Sequence, residues 1–159
     1  MFCRDRLERL FAQEGVSYRV AEHSAAYTAQ DVANTEHISG YDVAKVVMAV
    51  VDARLVMLVL PAPHRVDLEL VREGLRAHTA RLAEEREFAE IFGDCEMGAM
   101  PPFGNLYGVE VYADPALAAH RHITFNAGTH RATMTIAYTD FVRLARPRVL
   151  ELARSPRVA

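Results

Sequence analysis

The stretch Ala44-Lys45-Val46-Val47-Met48-Ala49-Val50-Val51-Asp52-Ala53-Arg54-Leu55-Val56-Met57-Leu58-Val59-Leu60 decides the fold. Two β-branched and aliphatic runs, parted only by Asp52-Ala53, read as a β-hairpin, although the turn lacks the glycine such turns prefer. After Lys45 the first run is apolar throughout, the pattern of a strand covered on both faces. An ammonium at the head of such a strand must be paired, solvated in a cleft or used. Pro61 and Pro63 close the second strand, since neither can donate to a ladder.

Outward from this hairpin the chain alternates helices and strands. Leu7, Leu10 and Phe11 recur at helical spacing between Arg4 and Glu14, and Gly15 stops them. Tyr18 to Ala21 reads as a short strand. Thr28 caps a short helix with Asp31 in its first turn, ended by His37 to Gly40. Asp67 caps a helix with Leu68, Val71 and Leu75 on one stripe, and a second helix is expected to bury Phe88, Ile91 and Phe92 before Gly93. Val109 to Tyr112, His122 to Asn126 and Ala132 to Ala137 read as strands, with Asp114 to Ala118 a short helical connection. Thr139 is expected to cap a last helix carrying Phe141, Val142 and Leu144 and ended by Pro147. From about residue 148 the apolar periodicity fades, so a frayed tail is expected.

With 159 residues, 51% of them hydrophobic, the chain suits a single domain over residues 1–159 with a full core. A net charge of −3 excludes the basic excess of a protein that wraps duplex nucleic acid, so DNA is not an expected partner and any RNA contact must be local. Cys3 and Cys95 lack C-x-x-C spacing and enough partners for a thiolate metal site or a disulfide framework. No signal-peptide pattern opens the chain and charge or Pro interrupts every apolar run, so a cytoplasmic protein with no membrane contact is expected.

A second informative segment is Gly98-Ala99-Met100-Pro101-Pro102-Phe103-Gly104. Its glycines permit unusual backbone and its prolines stiffen it, which suits a loop that presents N–H groups to a ligand. By residue type alone, a Gly-Pro turn between helix and strand and a solvent-reaching lysine are the ordinary readings of these features. The order of motifs changes the weighing. Ala44-Lys45-Val46-Val47, Leu58-Val59-Leu60-Pro61-Ala62, Val66-Asp67-Leu68, the Gly98 to Pro102 loop and Phe125-Asn126-Ala127-Gly128 together resemble the YbaK/prolyl-tRNA synthetase-associated editing domain family, over about His23 to Pro147.

The resemblance implies a mixed α/β fold with a curved, mainly antiparallel sheet of about six strands flanked by helices. It implies a trans-editing deacylase that hydrolyses the ester of a tRNA mischarged with a small noncognate amino acid. Lys45 matches the family's characteristic lysine and would hold the terminal phosphate or the carbonyl. Gly98 to Pro102 matches its substrate-facing G-x-x-x-P loop, so Gly98 and its neighbours Ala99, Met100, Pro101 and Pro102 would offer backbone donors and contacts to the substrate. Asn126 and Gly128 match pocket-lining positions, and His23 and Thr28 fall in an early segment that the family uses around its pocket. Val47, Met48 and Met100 are the expected steric wall. His130 reads equally as a selector of the aminoacyl group and as an exposed turn histidine.

No cofactor or metal is implied: His120 and His122 share a strand face but lack further ligands, and an exposed edge pair is the better reading. Neither cysteine has the context of a nucleophile, Cys3 lying near a chain end, and no G-x-S-x-G elbow, Walker loop or Rossmann glycine pattern is present. The implied partner is the acceptor end of aminoacyl-tRNA, alone or with a synthetase supplying specificity. Arg65, Arg72, Arg76 and the C-terminal arginines are candidate phosphate contacts. A binding module for an aminoacyl-adenosine-like ligand, or a hydrolase of another small acyl ester, stays open beside the deacylase.

Overall fold

The structure, a computed structural model, describes residues 2–24, 28–36 and 38–156. The chain opens with α1 (Cys3–Glu14), β1 (Arg19–Glu22), α2 (Ala29–Glu36), β2 (Ala44–Val51), β3 (Arg54–Pro61) and β4 (Arg65–Val66). It continues through α3 (Leu68–Gly74), β5 (Ala80–Leu82), α4 (Glu85–Phe88), β6 (Glu110–Ala113) and β7 (His122–Thr129). It closes with β8 (Ala132–Ala137), α5 (Tyr138–Ala145), β9 (Arg148–Val149) and β10 (Ala153–Arg154).

The expected hairpin forms: β2 and β3 pair antiparallel from Ala44 opposite Pro61 to Val51 opposite Arg54. Its turn holds Asp52 at φ 46° and Ala53 at φ 66°, left-handed positions usually given to Asn or Gly. The Asp52 carboxylate makes this tolerable by accepting from the amides of His78 and Thr79, both at 2.9 Å. The hairpin sits inside a five-stranded sheet, order β5-β2-β3-β6-β9, beside a three-stranded sheet, β1-β8-β7, and a small β10-β4 pair. Pairing is antiparallel except between β3 and β6 and between β6 and β9. This is the mixed α/β, mainly antiparallel architecture expected, its longer strands divided between two sheets joined by a parallel bridge from Val43 to Thr124.

Alternation along each strand sorts the core. On β2, Ala44 and Met48 enter the principal core, which also takes Ile123 and Phe125 from β7, Met134 and Ile136 from β8, and Leu7 and Phe11 from α1. Ala49 and Val51 face the other way, into a second cluster with Leu58, Leu60, Val71, Tyr112 and Leu152. Val32, Ala33 and Val43 form a third small cluster that seats α2 against the head of β2.

The tail departs from expectation. Arg148–Val149 joins the five-stranded sheet, Ala153–Arg154 pairs with β4, and Leu152 is fully buried. The reason is one buried acid: Asp114 caps the following turn at Ala116 and also accepts from the amide of Leu152 at 3.2 Å. Two backbone bonds add to it, Leu150 N–H to Ala113 and Asp67 N–H to Leu152. Residues 157–159 lie outside the described residues. Two smaller expectations also change. The second helix stops at Phe88, leaving Ile91 41% exposed while Phe92 is buried. Ala137, not Thr139, takes the N-cap position of α5. α2 ends at Glu36, and the expected stop at His37 lies outside the described residues.

Candidate functional site

Lys45 and Asn126 are placed by strand alternation. Residues joined across a parallel bridge share a face, so Val43 and Thr124 do, and two residues further along Lys45 and Asn126 fall on that same side. It is the side away from the principal core, which holds Ala44 and Phe125. Lys45 is half-buried, and its ammonium is held below the ordinary lysine range, first by burial and then by the charge of Arg65. Asn126 Oδ1 is buried and has no hydrogen-bond partner among the described residues. A buried carbonyl left so is an acceptor available to a donor that enters.

Beside Asn126, directly across the ladder, is Thr133, fully buried. Its hydroxyl donates to Glu36 Oε2 at 2.7 Å, and His23 Nε2 stands 3.4 Å from the same oxygen, in ion-pair range without hydrogen-bond alignment. His23 Nδ1 lies 2.6 Å from the Ser24 carbonyl, which can only accept, so that nitrogen carries the hydrogen. His23 is thus brought to the flank of Asn126 by the β1–β8 pairing. Thr28 is exposed at the head of α2, where its hydroxyl accepts from Asp31 N–H and the Asp31 carboxylate accepts in return from Thr28 N–H. That is a helix cap, as its sequence context suggests.

The Gly98 to Pro102 loop is laced to the end of β7. Gly128 N–H donates to Ala99 O at 3.0 Å and Glu96 N–H to Gly128 O at 2.8 Å. His130 joins them: its amide donates to Glu96 Oε2 at 3.0 Å and its Nε2–H to Met97 O at 2.8 Å. The ring packs against Gly98, where an added Cβ would lie 3.4 Å from His130 Cε1. His130 is therefore buried, not an exposed turn residue. Gly98 has φ +84° and is exposed; its amide and that of Met100 make no hydrogen bond among the described residues. Gly128 has φ +88° and carries Cys3 so close that a Cβ would lie 2.6 Å from Cys3 Cβ. Only glycine fits there.

The expected steric wall divides. Val47 shares the Lys45 face, whereas Met48 and Met100 pack into the principal core on the opposite side. A period of two makes it impossible for neighbours Val47 and Met48 to face one pocket. Ala99, Pro101 and Pro102 are buried and fix the loop. Cys3, expected near a loose end, is 1% exposed as the first residue of α1, and its thiol is held below the ordinary range, first by a hydrogen bond from Cys95.

Sequence reading missed Thr133, Glu36 and Glu96. Thr133 was within reach, because the register of two strands already read places it opposite Asn126. Glu36 and Glu96 arrive through tertiary contacts that leave no local pattern. Also missed is a groove of about 490 Å³ on the same polar face, lined by Arg19, Arg121, His122, Thr124, Thr135 and Asp42. Arg19 and Arg121 form no ion pair among the described residues. Of the cations foreseen for phosphate, Arg72 is tied to Glu69 at 3.0 Å and Arg154 to Asp67.

In this α/β domain Lys45, Asn126, Thr133, Glu36 and His23 gather where the two sheets meet. Comparison with known proteins then gives its family. The family model of the aminoacyl-tRNA editing domain matches residues 23–144, and the chain belongs to that family. It is 29% identical over 155 residues to the multifunctional Ser/Thr-tRNA deacylase ProXp-y of Escherichia coli K12, covering 94% of this chain and 92% of the relative. Among solved structures, a candidate trans-editing enzyme for prolyl tRNA synthetase shares the fold, with a TM-score of 0.83 at 21% identity, covering 96% of this chain and 98% of that one. The hypothetical protein APE2540 does so equally, with a TM-score of 0.83 at 18% identity over 93% of this chain and 99% of that one.

Proposed function

We propose that this chain acts in trans as an aminoacyl-tRNA deacylase, hydrolysing the ester between a small noncognate amino acid and the terminal adenosine of a tRNA. The observation that carries the reading is the shared face of Lys45 and Asn126, in a chain whose residues 23–144 match an editing domain. The ester is reactive already, so a positioned water and stabilised oxyanion suffice. Water adds to the carbonyl carbon, the bond to the ribose oxygen breaks, and that oxygen leaves with a proton. Lys45 supplies a compact positive charge to the terminal phosphate or the developing oxyanion, and the uncommitted amides of Gly98 and Met100 supply donors. This route calls on no protein nucleophile.

Asn126 Oδ1 favours an aminoacyl group with a donor to give, such as the α-ammonium or a side-chain hydroxyl. Serine and threonine therefore head the substrate panel, in keeping with the relative named for Ser- and Thr-tRNA. The acceptor end would approach along the Arg19 and Arg121 groove. No described helix is long and apolar enough to cross a membrane. The test is a panel of mischarged tRNAs, with and without a synthetase, following ester loss for each. Loss above the spontaneous rate for at least one small amino acid is expected. Binding without ester loss across the panel would make the chain a binding module.

A further inference from the structure

A second groove lies at the head of α1, away from the one lined by Arg19 and Arg121. About 900 Å³ in volume, it is lined on one side by the first turn of α1 and on the other by Asp94, Cys95 and Gly128. At its floor the sulfurs of Cys3 and Cys95 and a carboxylate oxygen of Asp94 all lie within 4.8 Å of one another. Cys95 Sγ is 3.6 Å from Asp94 Oδ1. The Tyr107 hydroxyl stands over all three, 3.0 Å from Asp94 Oδ1, 3.4 Å from Cys3 Sγ and 3.5 Å from Cys95 Sγ. Cys3 and Tyr107 come from segments distant from the Asp94-Cys95 pair, and a backbone bond from Cys3 N–H to Asp94 O at 3.1 Å fixes the approach of α1.

We infer that Cys3, Asp94 and Cys95 form a binding site for a thiophilic divalent metal ion of the zinc class, with water from the groove in the fourth position. A tetrahedral ion with bonds of about 2.0 to 2.3 Å separates its ligand atoms by roughly 3.3 to 3.8 Å, and the cluster is near that spacing before any ion enters. Charge agrees as well. Two thiolates and a carboxylate bring three negative charges, which a divalent ion and the Arg6 guanidinium neutralise together. Arg6 donates through Nε to Asp94 Oδ2 at 2.8 Å, leaving Oδ1 to the metal and fixing the carboxylate's orientation. Arg6 also lies over the Tyr107 ring, 5.2 Å from its centroid. Thiolate ligands select zinc-like over magnesium-like ions. The groove provides the entry path. The ion would pin α1 to the segment that runs into Gly98, so its role is mechanical and stands apart from the hydrolytic steps.

The test titrates the reduced, tag-free protein with Co²⁺ under anaerobic conditions and reads thiolate-to-cobalt charge transfer in the near ultraviolet. Saturation at one ion per chain is expected, with displacement by Zn²⁺ and a higher Tm in the Zn²⁺-loaded protein. The band should vanish in Cys3→Ala and in Cys95→Ser, and Asp94→Asn should weaken binding at least tenfold. If Cys3→Ala, changed at a buried site, does not fold, Cys95→Ser carries the test alone, since that side chain is only partly buried. No charge-transfer band at saturating Co²⁺, or an unchanged band in folded Cys95→Ser, would overturn the assignment.

Discussion

Lys45 and Gly128 show how differently two candidate residues can be read. Lys45 was legible because a lone cation opens an apolar strand; the role proposed for it is chemical, so Lys45→Ala should leave thermal melting close to wild type. Removing one electrostatic contact at a reacting centre costs about 10²- to 10³-fold in rate. Its charge should also disappear earlier than that of a free lysine, because burial and Arg65 lower its pKa. The alkaline limb of enzyme-dependent deacylation is therefore expected below the ordinary lysine range, and Lys45→Arg should move it upward. Gly128 is structural in a way no sequence pattern shows: its missing side chain is where Cys3 lies. Gly128→Ala combines a clash with a left-handed backbone and should cost about 1 to 3 kcal/mol, seen as a lower Tm.

At the scale of the element, the β2–β3 hairpin carries the account. Periodicity and the two-residue gap revealed it, but the reason its glycine-free turn survives is the Asp52 carboxylate bound by the amides of His78 and Thr79. Asp52→Ala should lower Tm by removing both bonds while keeping a left-handed position filled. Asp52 titrates below the ordinary range, first because of the Thr79 amide; Asp67 does so first because of Arg154; and Glu87 is pushed down to about 2, first by Arg81. A carboxylate whose folded pKa is depressed stabilises the fold above its unfolded value of about 4 and loses that contribution as pH falls through the folded value. Melting temperature should accordingly hold down to about pH 5 and fall between about pH 4 and 2, with a shallower acid limb in Asp52→Ala. The elements read least well, β9 and β10, are two residues each. Strands so short have no period to detect; they exist because Asp114 and Leu152 anchor them.

Across the whole molecule, the resemblance supplied the fold and the list of candidate site residues, while the turning of Met48 and Met100 into the core, away from the side of Lys45 and Val47, required coordinates. The tail is part of this architecture. Leu152→Ala removes a fully buried side chain and should cost about 2 to 5 kcal/mol, measured by denaturant unfolding. On the proposed function the cations that line the groove are the ones to test: Arg19→Glu and Arg121→Glu should weaken tRNA binding and each reduce the salt slope by about 1, whereas Arg72→Glu, already paired with Glu69, should change binding little. The most direct measurement is the rate of ester loss from tRNAs mischarged with serine and with threonine, with wild type and with Lys45→Ala of matched Tm. Hydrolysis by wild type, reduced about 10²-fold or more in the variant, is the predicted result. Equal rates for the two folded proteins would contradict the placement of the chemistry at Lys45.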